Sequence, residues 1–166
     1  MTETIQEELR RLEEQEQLLQ FPKFSADDAW ALGCMLVENA KKRALQPAFE
    51  ITLNGYTVFR YGFSATNPHN AHWLRRKQNT VQVTHMSSLR AGLLLEAAGE
   101  DAEKDWHLPP ADYAFLGGGF PLTLRGTGVV GAICCSGLPH RTDHQIVADT
   151  IAAYLGISLE GQEEKP

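Results

Sequence analysis

Ile5, Leu9, Leu12 and Leu19 recur at helical spacing among glutamates and glutamines, a pattern that predicts an amphipathic helix over the first twenty residues with one thin apolar stripe. Such a stripe needs a surface to lie on. Phe21-Pro22 ends it, and Ser25 with Asp28 three residues on forms a capping box ahead of a second helix, about Ala26 to Ala44. Beyond Pro47 the period changes from helical to alternating: Phe49, Ile51 and Leu53 interleave with Glu50 and Thr52, then Asn54-Gly55 supplies the pair best suited to a two-residue hairpin turn. Tyr56 to Tyr61 is the returning strand.

Asn67-Pro68 makes an N-cap and first helical position, predicting a helix through Trp73, Leu74, Arg75, Arg76 and Lys77 to about Val83. Another helix is expected over Ser88 to Ala98, followed by a loop over Gly99 and Glu100 to Trp106 that Pro109-Pro110 closes. Asp112 to Leu116 and Leu122 to Leu124 read as short strands around Gly117-Gly118-Gly119. Gly128 to Ser136 is apolar without polar alternation, as in a strand covered on both faces. Thr142 and Gln145 suggest a capping box for a last helix that carries Ile146, Val147, Ile151 and Leu155 and stops at Gly156. Five strands, two of them in a hairpin, with helices before, between and after, argue for an α+β fold with an antiparallel sheet. The expected organisation is an N-terminal helix at 1–20, one domain at 21–156 and an acidic tail at 157–166.

Charge sharpens this division. The net charge of -6 sits at the ends: residues 1–20 hold six acids against two arginines, residues 157–166 hold three acids against one lysine, and residues 21–156 balance 12 basic against 12 acidic groups. A neutral body carries neither a nucleic-acid footprint nor a membrane-attracting field. No apolar run approaches the ~18 residues of a spanning helix, and the acidic N-terminus is unlike a signal peptide, so a cytoplasmic location is expected. Cys34, Cys134 and Cys135 are odd in number and two are adjacent, which argues against a disulfide framework and for small buried hydrophobes.

Candidate chemistry gathers in a few places. Arg75, Arg76, Lys77 and Asn79 follow Trp73 on one helix, where arginine forks can grip a carboxylate or phosphate. Consecutive residues point in different directions, so at most two of the three cations face one site, and Trp73 shares a face with Lys77. The alternative is a solvated face beside a core tryptophan. Gly117, Gly118 and Gly119 can bring backbone N–H groups to an anion or flat ligand, or simply form a tight corner; no Walker lysine or helix follows them. Ser136 falls at the C-terminal rim of the last strand, without a GxSxG elbow. Six histidines, at 69, 72, 85, 107, 140 and 144, form no recognisable zinc pattern and no CxxCH, although a single histidine suffices as an axial haem ligand.

The segments Gly117-Gly118-Gly119-Phe120-Pro121, Gly128-Val129-Val130-Gly131-Ala132-Ile133, Ser136-Gly137-Leu138-Pro139 and Asp143-His144-Gln145 resemble the haem-degrading-domain family that includes GlcG-like proteins and HbpS. Trp73-Leu74-Arg75-Arg76-Lys77 with Asn79 further resembles a cytoplasmic branch of it, the likeness covering about Phe24 to Gly156. The resemblance implies an α-β-α sandwich with a five-stranded antiparallel sheet, profilin-like in character, and association into dimers or larger rings. It also implies haem, or a related small molecule, as cofactor, with a histidine as iron ligand in some relatives; His85, His140 and His144 are the candidates, and no matched motif selects among them. On this reading Trp73, Arg75, Arg76, Lys77, Asn79, Gly117, Gly118, Gly119 and Ser136 are the ligand-binding set.

Three functions therefore stand beside one another. The first is a small-ligand protein that binds or degrades haem, for which the chain shows no dedicated acid–base pair, so whether it is an enzyme stays open. A second is a non-catalytic oligomeric adaptor or chaperone-associated protein that recruits a partner through residues 1–20 and the acidic tail. A third is an enzyme acting on a small anionic metabolite held by Arg75, Arg76 and Asn79.

Overall fold

The computed structural model describes residues 2–159; residues 160–166, most of the expected acidic tail, lie outside the described residues. Its elements run α1 (Ile5–Leu18), α2 (Ala26–Lys42), β1 (Ala48–Leu53), β2 (Tyr56–Gly62), α3 (Pro68–Thr84), α4 (Ser88–Ala98), α5 (Ala102–Trp106), β3 (Gly119–Leu124), β4 (Gly128–Ser136) and α6 (His140–Leu155). The strands form one antiparallel sheet in the order β2-β1-β4-β3. Among the described residues no helix is long and apolar enough to cross a membrane.

Strand alternation sorts the core into two layers. Phe49, Ile51, Phe120, Leu122, Ile133 and Cys135 face α2 and α6 in the main core, whereas Ala48, Ala132 and Cys134 face Leu74 and Val81 of α3. Helices thus cover both faces of the central strands, which is why β4 lacks polar alternation. The adjacent cysteines point to opposite faces and both are buried and free, as small hydrophobes in a packed sheet are. In the hairpin, Asn54 and Gly55 take φ values of 52° and 77°, the left-handed pair that a two-residue turn requires. Ser25 and Asn67 each complete a capping box, at α2 and α3.

The sheet has four strands, not five, because Asp112 to Leu116 does not form one. Helix α3 captures that segment's polar backbone instead. Arg76 Nε donates to the Pro110 carbonyl at 2.8 Å and Asn79 Nδ2 to that of Asp112 at 2.8 Å. Thr80 Oγ1 donates to the Ala114 carbonyl at 2.8 Å and accepts from the Ala114 N–H at 3.1 Å. With these groups satisfied by side chains, no neighbouring strand is needed.

Two further expectations change. Glu100 to Trp106 contains the short helix α5, capped by Asp101, whose carboxylate accepts from the N–H groups of Glu103 and Lys104 at 3.1 and 2.8 Å. Helix α6 begins at His140 rather than behind a Thr142–Gln145 box: Pro139 is its N-cap, no side chain caps it, and the Pro139 carbonyl accepts the Asp143 N–H at 2.9 Å. Proline's fixed φ starts the helix two residues before the threonine can cap it. Gly156 ends α6 in the left-handed region, as expected.

The strap over α3 makes a direct prediction. Thr80 is fully buried, so Thr80→Val keeps the shape and removes both hydrogen bonds to Ala114. We expect a loss of about 1–3 kcal/mol in urea unfolding, with faster hydrogen exchange at Ala114.

Candidate functional site

The N-terminal turns of α3 and α6 meet over the end of β4. Between them lies a cleft of about 200 Å³, whose lining includes His69, Trp73, Lys77, Ser136, His140 and Asp143. Each arrives from a local rule already stated: Asn67-Pro68 starts α3 just before His69, Ser136 ends β4, and Pro139 starts α6 just before His140.

Lys77 and Asp143 form the floor. Both side chains are 3% exposed and their charges lie 2.9 Å apart. Lys77 Nζ also donates to the Cys135 carbonyl at 2.9 Å. Asp143 accepts from the Leu138 N–H at 3.1 Å and from Cys135 Sγ at 3.2 Å. Burial is the main influence on the Asp143 carboxyl and raises its pKa, while Lys77 pulls it back down. Cys135 is pushed well above the usual thiol range, first by burial and then by Asp143, so its sulfur is a hydrogen-bond donor here and not a nucleophile.

Gly118 makes the pair possible. Its φ is +128°, and a Cβ there would stand 2.4 Å from the Cys135 carbonyl oxygen and 2.6 Å from Lys77 Nζ. A Cβ on Gly117 would stand 2.2 Å from the His140 carbonyl oxygen. The glycine run is a close-packed corner whose amides serve the protein itself: the Gly117 N–H donates to His140 Nδ1 at 3.2 Å and the Gly119 N–H to Ser88 Oγ at 2.9 Å.

The structure divides the residues expected to bind ligand. Trp73, Lys77, Ser136 and His140 are brought together at the cleft, and Asn70 Nδ2 lies 3.5 Å from Ser136 Oγ. Arg75, Arg76 and Asn79 are not. Arg75 pairs with Asp112 at 3.2 Å and reaches the Ala111 carbonyl at 3.1 Å, while Arg76 and Asn79 hold the 110–113 strap. The Arg76 guanidinium also lies 4.4 Å from the Trp73 ring centroid, a cation–π contact that holds the indole in place.

Two of the three histidine candidates also fall elsewhere. His85 is the exposed left-handed C-cap of α3, at the opposite end of that helix from the cleft. His144 is 2% exposed, with Nε2 2.6 Å from Gln15 Oε1. Burial holds it down at about 3, helped by the charges of Arg11, Arg141 and His140. The third candidate, His140, lines the cleft, and so does His69, which is exposed there, 6.1 Å from Trp73 and 6.3 Å from His72 between ring centroids.

Sequence reasoning also passed over Asp143 and the burial of Lys77, although a signal existed. Lys77 stands between Leu74 and Val81 on the buried stripe of α3, and Asp143 precedes Ile146 and Val147 on that of α6. A lone charge at a position the helical period reserves for an apolar side chain marks a buried partner.

For the pair itself, we expect Asp143→Asn to leave an uncompensated buried ammonium and to cost about 3–5 kcal/mol in urea unfolding. Combining it with Lys77→Met removes both charges. That double variant should be more stable than Asp143→Asn alone.

Comparison with known proteins places this architecture. The chain is 43% identical over 153 residues to a UPF0303 protein of Edwardsiella ictaluri, covering 92% of this chain and 98% of that one. The crystal structure of the Ybr137w protein superposes with a TM-score of 0.82 at 25% identity, covering 89% of this chain and 87% of that one. The crystal structure of HbpS superposes with a TM-score of 0.64 at 26% identity, covering 82% and 93%. Residues 24–152 match the model of the family described as haem degrading protein HbpS-like, and with that match extending over all four strands and most of α6, the chain belongs to the HbpS-like family.

Proposed function

We propose that the protein binds a flat, carboxylate-bearing ligand of the haem class at the cleft between α3 and α6. The observation that carries this reading is the meeting of an exposed imidazole, His69, with an indole wall, Trp73, at one concave site. Family membership supplies the ligand class. The donor set suits haem: an exposed imidazole, His69, for iron, with His140 beside it in the lining, one aromatic face for the ring, and Ser136 and Asn70 as polar groups for a carboxylate. The volume sets a limit, since about 200 Å³ is below the ~300–1,000 Å³ of sites that enclose a ligand. The ligand is therefore held at its edge with its remainder in solvent.

When bound, haem would supply an iron centre with one position taken by histidine. The chain's own contribution is binding and orientation. His69 would hold the iron, Trp73 is kept in place by Arg76, and Lys77 with Asp143 ties together the two helices that form the walls. Because those two charges neutralise each other, the floor adds no free charge to the site.

Haem titration of the purified full-length chain, followed at the Soret band, tests the proposal. We expect saturable one-to-one binding in the wild type and in His85→Ala. His69→Ala should weaken it by at least the about 10–100-fold that even an outer-shell partner is worth. An unsaturable wild type, or a His69→Ala protein that binds as the wild type does, overturns the assignment.

A further inference from the structure

Helix α1 closes the rear of the same α6 turn that forms one wall of the cleft. Its apolar attachment is small and separate from the main core: Leu12 is buried with Leu89 and Leu93 of α4, with Ile5 and Leu9 at the margin. The rest of its hold is polar. Glu13 and Glu16 pair with Arg90 at 2.7 and 2.8 Å, Glu16 accepts from the Ser87 N–H at 2.8 Å, and Glu8 pairs with Arg141.

Inside this interface is one contact with no second partner on either side. Gln15 is fully buried and meets His144 at 2.6 Å, yet Gln15 Nε2 and His144 Nδ1 each lack a hydrogen-bond partner. An amide oxygen only accepts, so His144 Nε2 carries the ring proton and Nδ1 is a bare lone pair. A second proton on the ring would have to go to Nδ1, where no acceptor waits.

We propose that α1 is a clasp that opens on acidification, released when His144 takes up a proton at Nδ1. The groups around the ring favour this direction. Arg11 comes from α1 and His140 and Arg141 from α6, while β3 presents the Phe120 ring, 5.7 Å away between centroids. The nearby carboxylates are engaged elsewhere: Glu8 with Arg141 and Arg11, Glu16 with Arg90 and Ser87 of the α4 side, and Asp143 with Lys77. Burial raises Glu8 and Glu16, so their protonation favours the docked state and opposes release.

The sign follows from linkage. Docked, His144 is held at about 3 against an ordinary value of 6.5. Docking is therefore unaffected above 6.5 and weakens about tenfold per pH unit as pH falls from 6.5 towards 3. His140 and Asp143 of the same turn face the cleft, so release loosens that wall. This last consequence rests on the binding reading above; the clasp itself stands on the contacts of α1, α4 and α6.

Hydrogen exchange of the full chain without ligand, at pH 7.5 and pH 5.5 and corrected for intrinsic rates, tests the clasp independently of what the cleft binds. We expect the protection of α1 amides to fall about tenfold at the lower pH while β1 and β4 keep theirs. His144→Gln, which does not titrate, should abolish the fall. Gln15→Glu places a carboxylate against the ring and should preserve protection at pH 5.5, which decides the matter if His144→Gln proves too unstable, as β1 and β4 would report. Unchanged α1 protection in the wild type, a fall shared with β1 and β4, or a fall of wild-type size in either variant overturns the proposal.

Discussion

Lys77 of α3 and Asp143 of α6 cross from opposite layers of the molecule and meet beneath Gly118, beside the end of β4. Their contact ties the two helices together at the base of the cleft between them. The arrangement is demanding. An isolated charge in this position would cost several kcal/mol, so each side chain must reach the other while the Cys135 carbonyl and the Leu138 N–H satisfy what remains. A residue without a Cβ is needed at 118 because the space a methyl would fill already holds the lysine ammonium and a carbonyl oxygen.

From this constraint the roles of the surrounding residues separate. The arginines beside Lys77 do not line the cleft; they bind the 110–113 backbone and satisfy its carbonyl groups. Arg76 also reaches back over Trp73 and fixes the aromatic wall. A basic cluster in sequence has become a strap on one side and a tryptophan support on the other. The cleft is left with imidazole, indole, hydroxyl and amide groups, a composition that suits a flat ligand with a polar edge.

Helix α1 belongs to the same economy of buried polar groups. Its stripe of Leu12, Gln15 and Leu19 carries a glutamine where the helical period calls for an apolar residue, and that glutamine faces a histidine placed in the same way on α6. Two helices that meet through polar groups in their apolar stripes hold less firmly than two that meet through leucines. The N-terminal segment is therefore anchored in the main core only at its C-terminal end, through Leu19, and along the rest of α1 by the small Leu12 cluster and by polar contacts.

The sequence by itself determined most of the local structure. Periodicity located α1 to α4, β1, β2, β4 and α6, Asn54-Gly55 specified the hairpin, and Ser25, Asn67 and Gly156 marked helix ends, because these features depend on residues within one or two turns of each other. The resemblance carried by residues 117–145 led to the right family. Only the tertiary structure decided that Asp112 to Leu116 is a strap, that Arg75, Arg76 and Asn79 are engaged by that strap and do not line the cleft, that His144 is sealed and His69 open, and that Lys77 and Asp143 are a pair. Those outcomes depend on which distant backbone group reaches a side chain first, separated by 33 to 129 positions along the chain, and no pattern of spacing within a helix encodes that competition.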